Sequence, residues 1–260
     1  MTYTNQPKKK PYNPVDANPD NQRTLAHVFE CVKKTIHLSL APVVVFDLDS
    51  TLFDNRPRQV QIFREFAIQT ANAQLYQTEC SHFLDWDFIK ALKRLGFSSE
   101  QAEQLYPELK QFWQARFFTS EYCKYDIAFS GAPDYVSLLH RTGAIIAYVT
   151  GRHEAMRQGT SECLGYYGFP LPHTHQQVHL LMKPELATPD HEFKKDIHTH
   201  VATLGRVCAA FDNEPAHANQ LKASFPEASV VWIDSDHSTQ PEPLRADLLK
   251  ITGFCNYIQL

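Results

Sequence analysis

Val43-Val44-Val45-Phe46-Asp47-Leu48-Asp49-Ser50-Thr51-Leu52-Phe53-Asp54 is the stretch whose reading decides the fold. A short apolar run rich in β-branched residues stops at two aspartates, with a hydroxyl residue two positions further on. Four to eight apolar residues ending in a polar break form a buried strand. In an open α/β sheet the chemistry gathers outside the carboxyl ends of the strands. Asp47 and Asp49 are therefore expected to project from that edge and to mark the active site.

On the N-terminal side, Leu25, Val28, Phe29, Val32 and Ile36 recur at three- and four-residue spacing, one face of a helix that leads through Ala41-Pro42 into the strand. On the C-terminal side, further apolar strands are expected at residues 144–149, 207–211 and 229–233, with a weaker one at 178–182. Helical segments fill the gaps. One runs over residues 134–141, opened by Pro133 and ended near Gly143, where a helix C-terminal glycine belongs. Two more are expected from about Arg152 to Leu164 and from Ala216 to Phe225. Strands alternating with helices pair in parallel through right-handed crossovers, so the expected core is a Rossmann-like α/β sheet.

About 75 residues between Asp54 and Gly131 do not fit a simple crossover. Ile62, Phe63, Phe66 and Ala67 form one amphipathic stretch; Phe88, Ile89, Leu92 and Leu95 form another, stopped by Gly96. Ser98 with Gln101 makes a capping box for a third, which carries Leu105, Leu109, Phe112 and Trp113. The expected organisation is a flexible N-terminal tail over residues 1–21, a core over 22–56 and 129–260, and an all-helical insertion over 57–128. The insertion starts beside the aspartates, where a lid that excludes water would be placed. Arg56 and Arg58, just past the strand, are expected on the surface.

The chain of 260 residues is 43% hydrophobic and 21% charged, an ordinary soluble composition that suits one domain with an insertion. A formal charge of -4 argues against non-specific nucleic-acid binding, which needs a basic field. The six cysteines include no C-x-x-C pair and read as reduced thiols. The proline-rich N-terminus lacks the apolar core of a signal peptide, and no segment is long enough to span a bilayer. These features read as a cytoplasmic protein without membrane contact. His173, His175 and His179 flank a proline-rich loop with no cysteine or carboxylate nearby to complete a tetrahedral metal set, and no dedicated histidine metal site is expected there or at His198 and His200.

Asp47-Leu48-Asp49-Ser50-Thr51 resembles motif I, D-x-D-x-[TS], of the haloacid dehalogenase (HAD) superfamily. The resemblance implies Asp47 as a nucleophile that forms an aspartyl-phosphate and Asp49 as general acid, then base; an acid at the latter position marks phosphatases rather than dehalogenases. Tyr148-Val149-Thr150-Gly151-Arg152 resembles motif II, which implies phosphate binding by Thr150 and the amides from Gly151 onward, aided by the following helix N-terminus. Motif III requires a lysine, and two compete. Lys194, in Phe193-Lys194-Lys195, is preferred; Lys183, directly after the weak strand, is the runner-up. Phe211-Asp212-Asn213-Glu214 resembles motif IV, although Asn213 stands where a second aspartate is commoner. It implies a Mg2+ site on the Asp47 carboxylate, the Asp49 backbone carbonyl and the Asp212 carboxylate, with assistance from Asn213 or Glu214 left open. The helical insertion resembles a C1-type cap.

The function so implied is a Mg2+-dependent phosphohydrolase acting on a small phosphorylated metabolite, with no nucleic-acid partner. Two alternatives stay open: a nucleotide or polynucleotide-end phosphatase, and a non-catalytic HAD-like domain that binds a ligand or partner. Neither the substrate nor the oligomeric state is readable from the residues.

Overall fold

The computed structural model describes residues 19–238 and 242–254. The first helix, α1 (Pro19–His37), leads to β1 (Pro42–Phe46), and the short strand β2 (Phe53–Asp54) follows the aspartates. Next come α2 (Arg56–Gln69), α3 (Ala73–Tyr76), α4 (Phe88–Arg94) and α5 (Ser99–Phe117), and then β3 (Ile127–Ala128). The chain continues through α6 (Ala132–Arg141), β4 (Ile145–His153), α7 (Arg157–Tyr166) and β5 (Val178–Lys183). It ends with α8 (Asp190–Leu204), β6 (Arg206–Asp212), α9 (Pro215–Ser224), β7 (Ser229–Ile233) and β8 (Leu249–Ile251).

Six strands form one parallel sheet in the order β5-β4-β1-β6-β7-β8. The crossover helices cover both faces, as the alternation of elements requires. Side chains alternate along β1: Val44 and Phe46 pack with α1, α6 and α7, while Val43 and Val45 pack with α8 and α9. With both faces covered, every residue of β1 is buried, which is why its sequence is a continuous apolar run. The central strand β1 lies between β4 and β6, so its carboxyl end is flanked by the ends of the strands carrying Thr150 and Asp212.

The helical insertion leaves and re-enters the core through β2 and β3, which pair antiparallel with Phe53 opposite Ala128 and Asp54 opposite Ile127. It has its own core, in which Ile62, Phe63, Phe66, Leu92, Leu109 and Trp113 meet. The capping box of Ser98 and Gln101 is formed at the start of α5. Gly143, at φ +107°, occupies the left-handed turn after α6, a conformation that a side chain resists.

The structure differs from the sequence reading at several elements. Of the expected tail over residues 1–21, residues 1–18 lie outside the described residues and the remainder forms the first turn of α1; the Asn21 side chain there is buried and bonds Thr252. No helix begins at Arg152. Strand β4 runs on to His153, a 3-10 turn follows at Glu154–Met156, and α7 starts at Arg157. Strands β2, β3 and β8 are two or three residues long, too short for an alternation pattern to betray. Cys31, Cys80, Cys123, Cys163 and Cys208 are free thiols; Cys255 lies outside the described residues. No helix among the described residues is long and apolar enough to cross a membrane.

Candidate active site

Backbone pairing continues one residue beyond β1: the Asp47 N–H donates to the Phe211 carbonyl at 3.0 Å. Asp47 and Asp212 thereby leave adjacent strand ends side by side. The chain then reverses, with the N–H groups of Thr51, Leu52 and Phe53 all donating to the Leu48 carbonyl. Ser50 sits at φ 58°, an uncommon conformation for a residue with a side chain, and its N–H donates to the Phe53 carbonyl at 2.7 Å. This tight turn carries Asp49 to the side of the site that faces the insertion. The Thr51 hydroxyl donates to Asn213 Oδ1 at 3.1 Å, tying the turn to the loop after β6.

Helix α8 brings Lys194 to the pair. Its Nζ is 2.8 Å from Asp47 Oδ1, 2.8 Å from Asp212 Oδ2 and 3.0 Å from His217 Nδ1. Asp212 Oδ1 accepts the Glu214 N–H at 2.8 Å. One ammonium shared by two buried carboxylates leaves the group one negative charge in excess. Burial pushes Asp47 up to about 7, the charges of Asp212 and Asp49 add to that, and Lys194 opposes it. Burial would also raise Asp212, but the charge and hydrogen bond of Lys194, with His217 Nδ1 3.8 Å away, outweigh it and hold Asp212 below the usual carboxylate range. Burial works against the Lys194 charge, and Asp212 and Asp47 overcome it, raising the ammonium above its ordinary value.

The runner-up lysine lies elsewhere. Lys183 Nζ donates to the carbonyls of Leu186 at 3.3 Å and Thr188 at 3.0 Å, and to Asp190 Oδ1 at 2.6 Å. It fastens the loop that precedes α8. Gly151 lies where a Cβ would collide with the Asp190 carboxylate, so the missing side chain lets this fastened loop approach the end of β4. Thr150 is fully buried, and its hydroxyl accepts the Arg152 N–H at 3.2 Å. Because α7 starts only at Arg157, its N-terminus is five residues past Arg152 and does not directly follow Gly151, contrary to the motif II expectation.

Asp49 is gripped by Arg152: Nε lies 3.0 Å from Oδ2 and Nη2 lies 2.7 Å from Oδ1. Asn55 Nδ2 donates to Oδ1 at 3.3 Å, and Arg58 Nη2 is 3.6 Å from it. Burial alone would raise this carboxyl. The charge and hydrogen bonds of Arg152, with Arg58 and Asn55, outweigh burial and keep it well below the usual range. Behind Asp49 lies Asp126, at the end of the insertion, which accepts from Arg152 Nη2 at 2.7 Å and from both Nε and Nη2 of Arg58. Arg58 also donates to the Phe117 carbonyl at 3.0 Å and is fully buried, not exposed as the sequence reading expects. Arg56 is likewise paired, with Asp54 at 2.8 Å.

Arg58, Arg152, Asp126 and His217 are the site residues that the sequence reading does not assign. Arg152 carried a signal, since it stands within the strand-end motif. Asp126 and Arg58 carried none: each is a lone charge, and only the fold brings them together across 68 positions of sequence.

A cavity of about 310 Å³ opens in front of Asp47 and Lys194. Asp49, Gly151 and Arg152 line it, together with Trp86, Trp113, Phe117 and Phe118 of the insertion. Two carboxylates, a buried cation and an open cavity thus meet at the carboxyl edge of the sheet. A sequence profile of the family described as haloacid dehalogenase-like hydrolase matches residues 44–179, just over half of the chain. The chain belongs to the haloacid dehalogenase-like hydrolases.

Solved structures share the fold. One is a HAD-superfamily hydrolase of subfamily IA, variant 1, from Geobacter sulfurreducens, at 12% identity and a TM-score of 0.51, covering 84% of this chain and 95% of that one. Another is Protein Tyrosine Kinase A (PtkA) from Mycobacterium tuberculosis, at 16% identity and a TM-score of 0.50, covering 84% of this chain and 95% of that one. At such identities the likeness concerns the fold alone, and the differing names of the two proteins illustrate why. No curated protein sequence matches the chain.

Proposed function

We propose that this HAD-like hydrolase is a Mg2+-dependent phosphatase that cleaves the phosphate monoester of a small metabolite through an aspartyl-phosphate on Asp47. The observation that carries this reading is the Lys194 ammonium shared between Asp47 and Asp212 beside an open cavity. Hydrolysis of a monoester needs a nucleophile, a proton for the leaving oxygen and positive charge around the transferring phosphoryl. Asp47, Asp49 and Lys194 would meet these needs in turn, with Thr150 and Gly151 proposed for the phosphate oxygens; of these two, Gly151 lines the cavity.

The donor set suits a hard cation, because every candidate ligand is oxygen. Asp47, Asp212 and the Asp49 carbonyl would hold it, and Mg2+ commonly takes one or two carboxylates and keeps several waters. Among the described residues no three His, Cys, Asp or Glu side chains form a metal cage. Asn213 and Glu214 serve the surrounding loops: Asn213 accepts from Thr51, and Glu214 accepts from the Ser238 N–H and hydroxyl. When bound, the cation supplies positive charge that keeps Asp47 ionised and offsets the charge of the phosphate.

Asp47 attacks phosphorus in line, and the new P–O bond forms as the ester oxygen departs. Asp49 protonates that oxygen, then takes a proton from the water that attacks the aspartyl-phosphate, returning Asp47 to its starting form. In the described state Asp49 is ionised in the grip of Arg152, which suits the second task. Loading it with a proton for the first requires that grip to loosen, and an anionic substrate offers Arg152 a competing partner. The helical insertion acts as a C1-type cap, closing over the substrate and excluding water.

Hydrolysis of p-nitrophenyl phosphate tests the reading, with Mg2+ and with chelator, in the native protein and in Asp47→Asn. Turnover that needs the metal and disappears in the variant is expected. Turnover that survives Asp47→Asn would overturn the covalent mechanism, and indifference to chelator would overturn the metal.

A further inference from the structure

We propose that His217 is a positioning residue that acts through Lys194: its Nδ1 takes the third N–H of the ammonium and fixes where that charge stands between Asp47 and Asp212. The proposal rests on the phosphatase reading for the reaction that Lys194 serves.

An ammonium has three N–H donors and no lone pair. Lys194 Nζ has three partners, Asp47 Oδ1 at 2.8 Å, Asp212 Oδ2 at 2.8 Å and His217 Nδ1 at 3.0 Å. Facing a group that can only donate, His217 Nδ1 serves as the acceptor, and the ring hydrogen belongs on Nε2. The same nitrogen is 3.8 Å from Asp212 Oδ1, beyond hydrogen-bond reach, so its partner is the lysine.

A third acceptor has a mechanical effect. The lysine stem is four flexible carbons ending in a compact charge. Two acceptors leave the ammonium free to swing about the line that joins them, and a third off that line stops it. The chemical kind of the third acceptor also matters. A carboxylate there would add to a group that already holds one negative charge in excess and would push Asp47 further towards its protonated form. A neutral imidazole gives a lone pair without a charge, and Lys194 and His217 both line the cavity.

The ring stands on a firm base. His217 is the third residue of α9, and the entry to that helix is pinned by Trp232 Nε1 donating to the Asn213 carbonyl at 2.6 Å and by the Ala218 N–H donating to the Glu214 carbonyl at 2.9 Å. Helix α8, which carries Lys194, is tied to α9 at two further points. Gln220 Nε2 donates to the His191 carbonyl at 3.3 Å, and His198 Nδ1 lies 2.8 Å from Ser224 Oγ. A side chain of α9 can therefore serve as a fixed reference for a side chain of α8.

Substitutions that move the acceptor test the proposal on p-nitrophenyl phosphate in Mg2+ buffer. Asparagine carries its amide oxygen near the place of Nδ1, glutamine near that of Nε2, and leucine offers no acceptor. His217→Leu and His217→Gln should lower kcat by about tenfold or more, the usual worth of a supporting partner, while His217→Asn stays within about threefold of the native protein. A leucine variant as active as the native protein would overturn the proposal. So would a glutamine variant equal to or better than the asparagine one, which would mean loosening of the fold or action through Nε2. A second readout does not use activity. Long-range 1H–15N spectra of the histidine rings at pH 8, with the His217 signals assigned by their loss in His217→Asn, should show hydrogen on Nε2 and a hydrogen-bonded, bare Nδ1 that shifts in Lys194→Met. Hydrogen on Nδ1, or an Nδ1 indifferent to Lys194→Met, would overturn the proposal. Failure of the phosphatase reading shows separately, as absence of turnover by the native protein while the spectra keep the expected form.

Discussion

Replacing Asp126 by asparagine keeps the shape of a fully buried side chain and removes its charge. Arg58, Arg152, Asp49 and Asp126 form a balanced set of two positive and two negative charges, with Arg58 at 0% and Arg152 at 3% exposure. In Asp126→Asn the set carries one uncompensated positive charge, and Arg58 keeps Asp49 at 3.6 Å, the Phe117 carbonyl and the face of the Phe117 ring at 4.5 Å. Removing one partner of a buried pair costs about 3–5 kcal/mol, because the remaining charge stays desolvated. For a chain of this size each kcal/mol moves the midpoint by about 2–4 °C, so a fall of roughly 6–20 °C is expected. Thermal and urea unfolding followed by tryptophan fluorescence would measure it, with Trp86 and Trp113 in the insertion and Trp232 in the core. The double variant Arg58→Met/Asp126→Asn removes the stranded charge and should recover at least about half of the loss, a coupling that a double-mutant cycle reads directly. A loss below about 1 kcal/mol in Asp126→Asn, or simple additivity in the double variant, would refute the reasoning that uncompensated charge is the cause.

The two lysines separate by what they touch. Lys194→Ala should lower kcat on p-nitrophenyl phosphate by at least about a hundredfold, the usual worth of one charge-stabilising donor, while Lys183→Ala stays within about tenfold and chiefly loses thermal stability; the reverse ranking would contradict the assignment. Burial, with the Lys194 charge, pulls His198 down to about 4 from 6.5. The folded protein then binds fewer protons than the unfolded chain between these values, so stability should fall as pH drops from 6.5 to 4, by at most about 3 kcal/mol. His198→Gln should flatten that part of the curve, and an unchanged slope in urea titrations would assign it to other groups. A Cβ on Gly159 of α7 would collide with the Ser120 carbonyl. Gly159→Ala should therefore cost about 1–3 kcal/mol in urea unfolding, although alanine favours a helix by about 1 kcal/mol; a stabilised variant would show that the segments can separate freely.

The sheet was legible because burial on both faces leaves a plain signature, a continuous apolar run such as residues 43–46. The capping box at Ser98 was legible for a similar reason: a local interaction needs only local residues. What escaped was decided at a distance. Arg58 reads as a surface charge, and only its approach to Asp126 and Asp49 makes burial tolerable. The helix expected at Arg152 gives way to an extended strand, where the Arg152 side chain reaches Asp49 and Asp126. In the site, Lys194 meets Asp47 and Asp212 where the strand ends suggested, whereas His217 arrives one turn into α9 with no motif to announce it.

The two-residue ribbon of β2 and β3 sets Asp54 directly across from Ile127, and directly opposed residues lie about 4.5–5.5 Å apart. The molecule therefore has a natural splice point: a tight turn could join the two strands as an ordinary hairpin without moving any strand of the sheet. Everything between them, residues 55–126, is a cassette with its own apolar interior. Arg58 and Asp126 both belong to that cassette, so they depart or arrive together and the Arg152–Asp49 pair left behind is still neutral as a unit. At the seam itself the one charge to be replaced is that of Arg56, which leaves with the cassette and is the partner of buried Asp54. Selection can thus exchange the part that chooses a substrate while inheriting the part that cuts it.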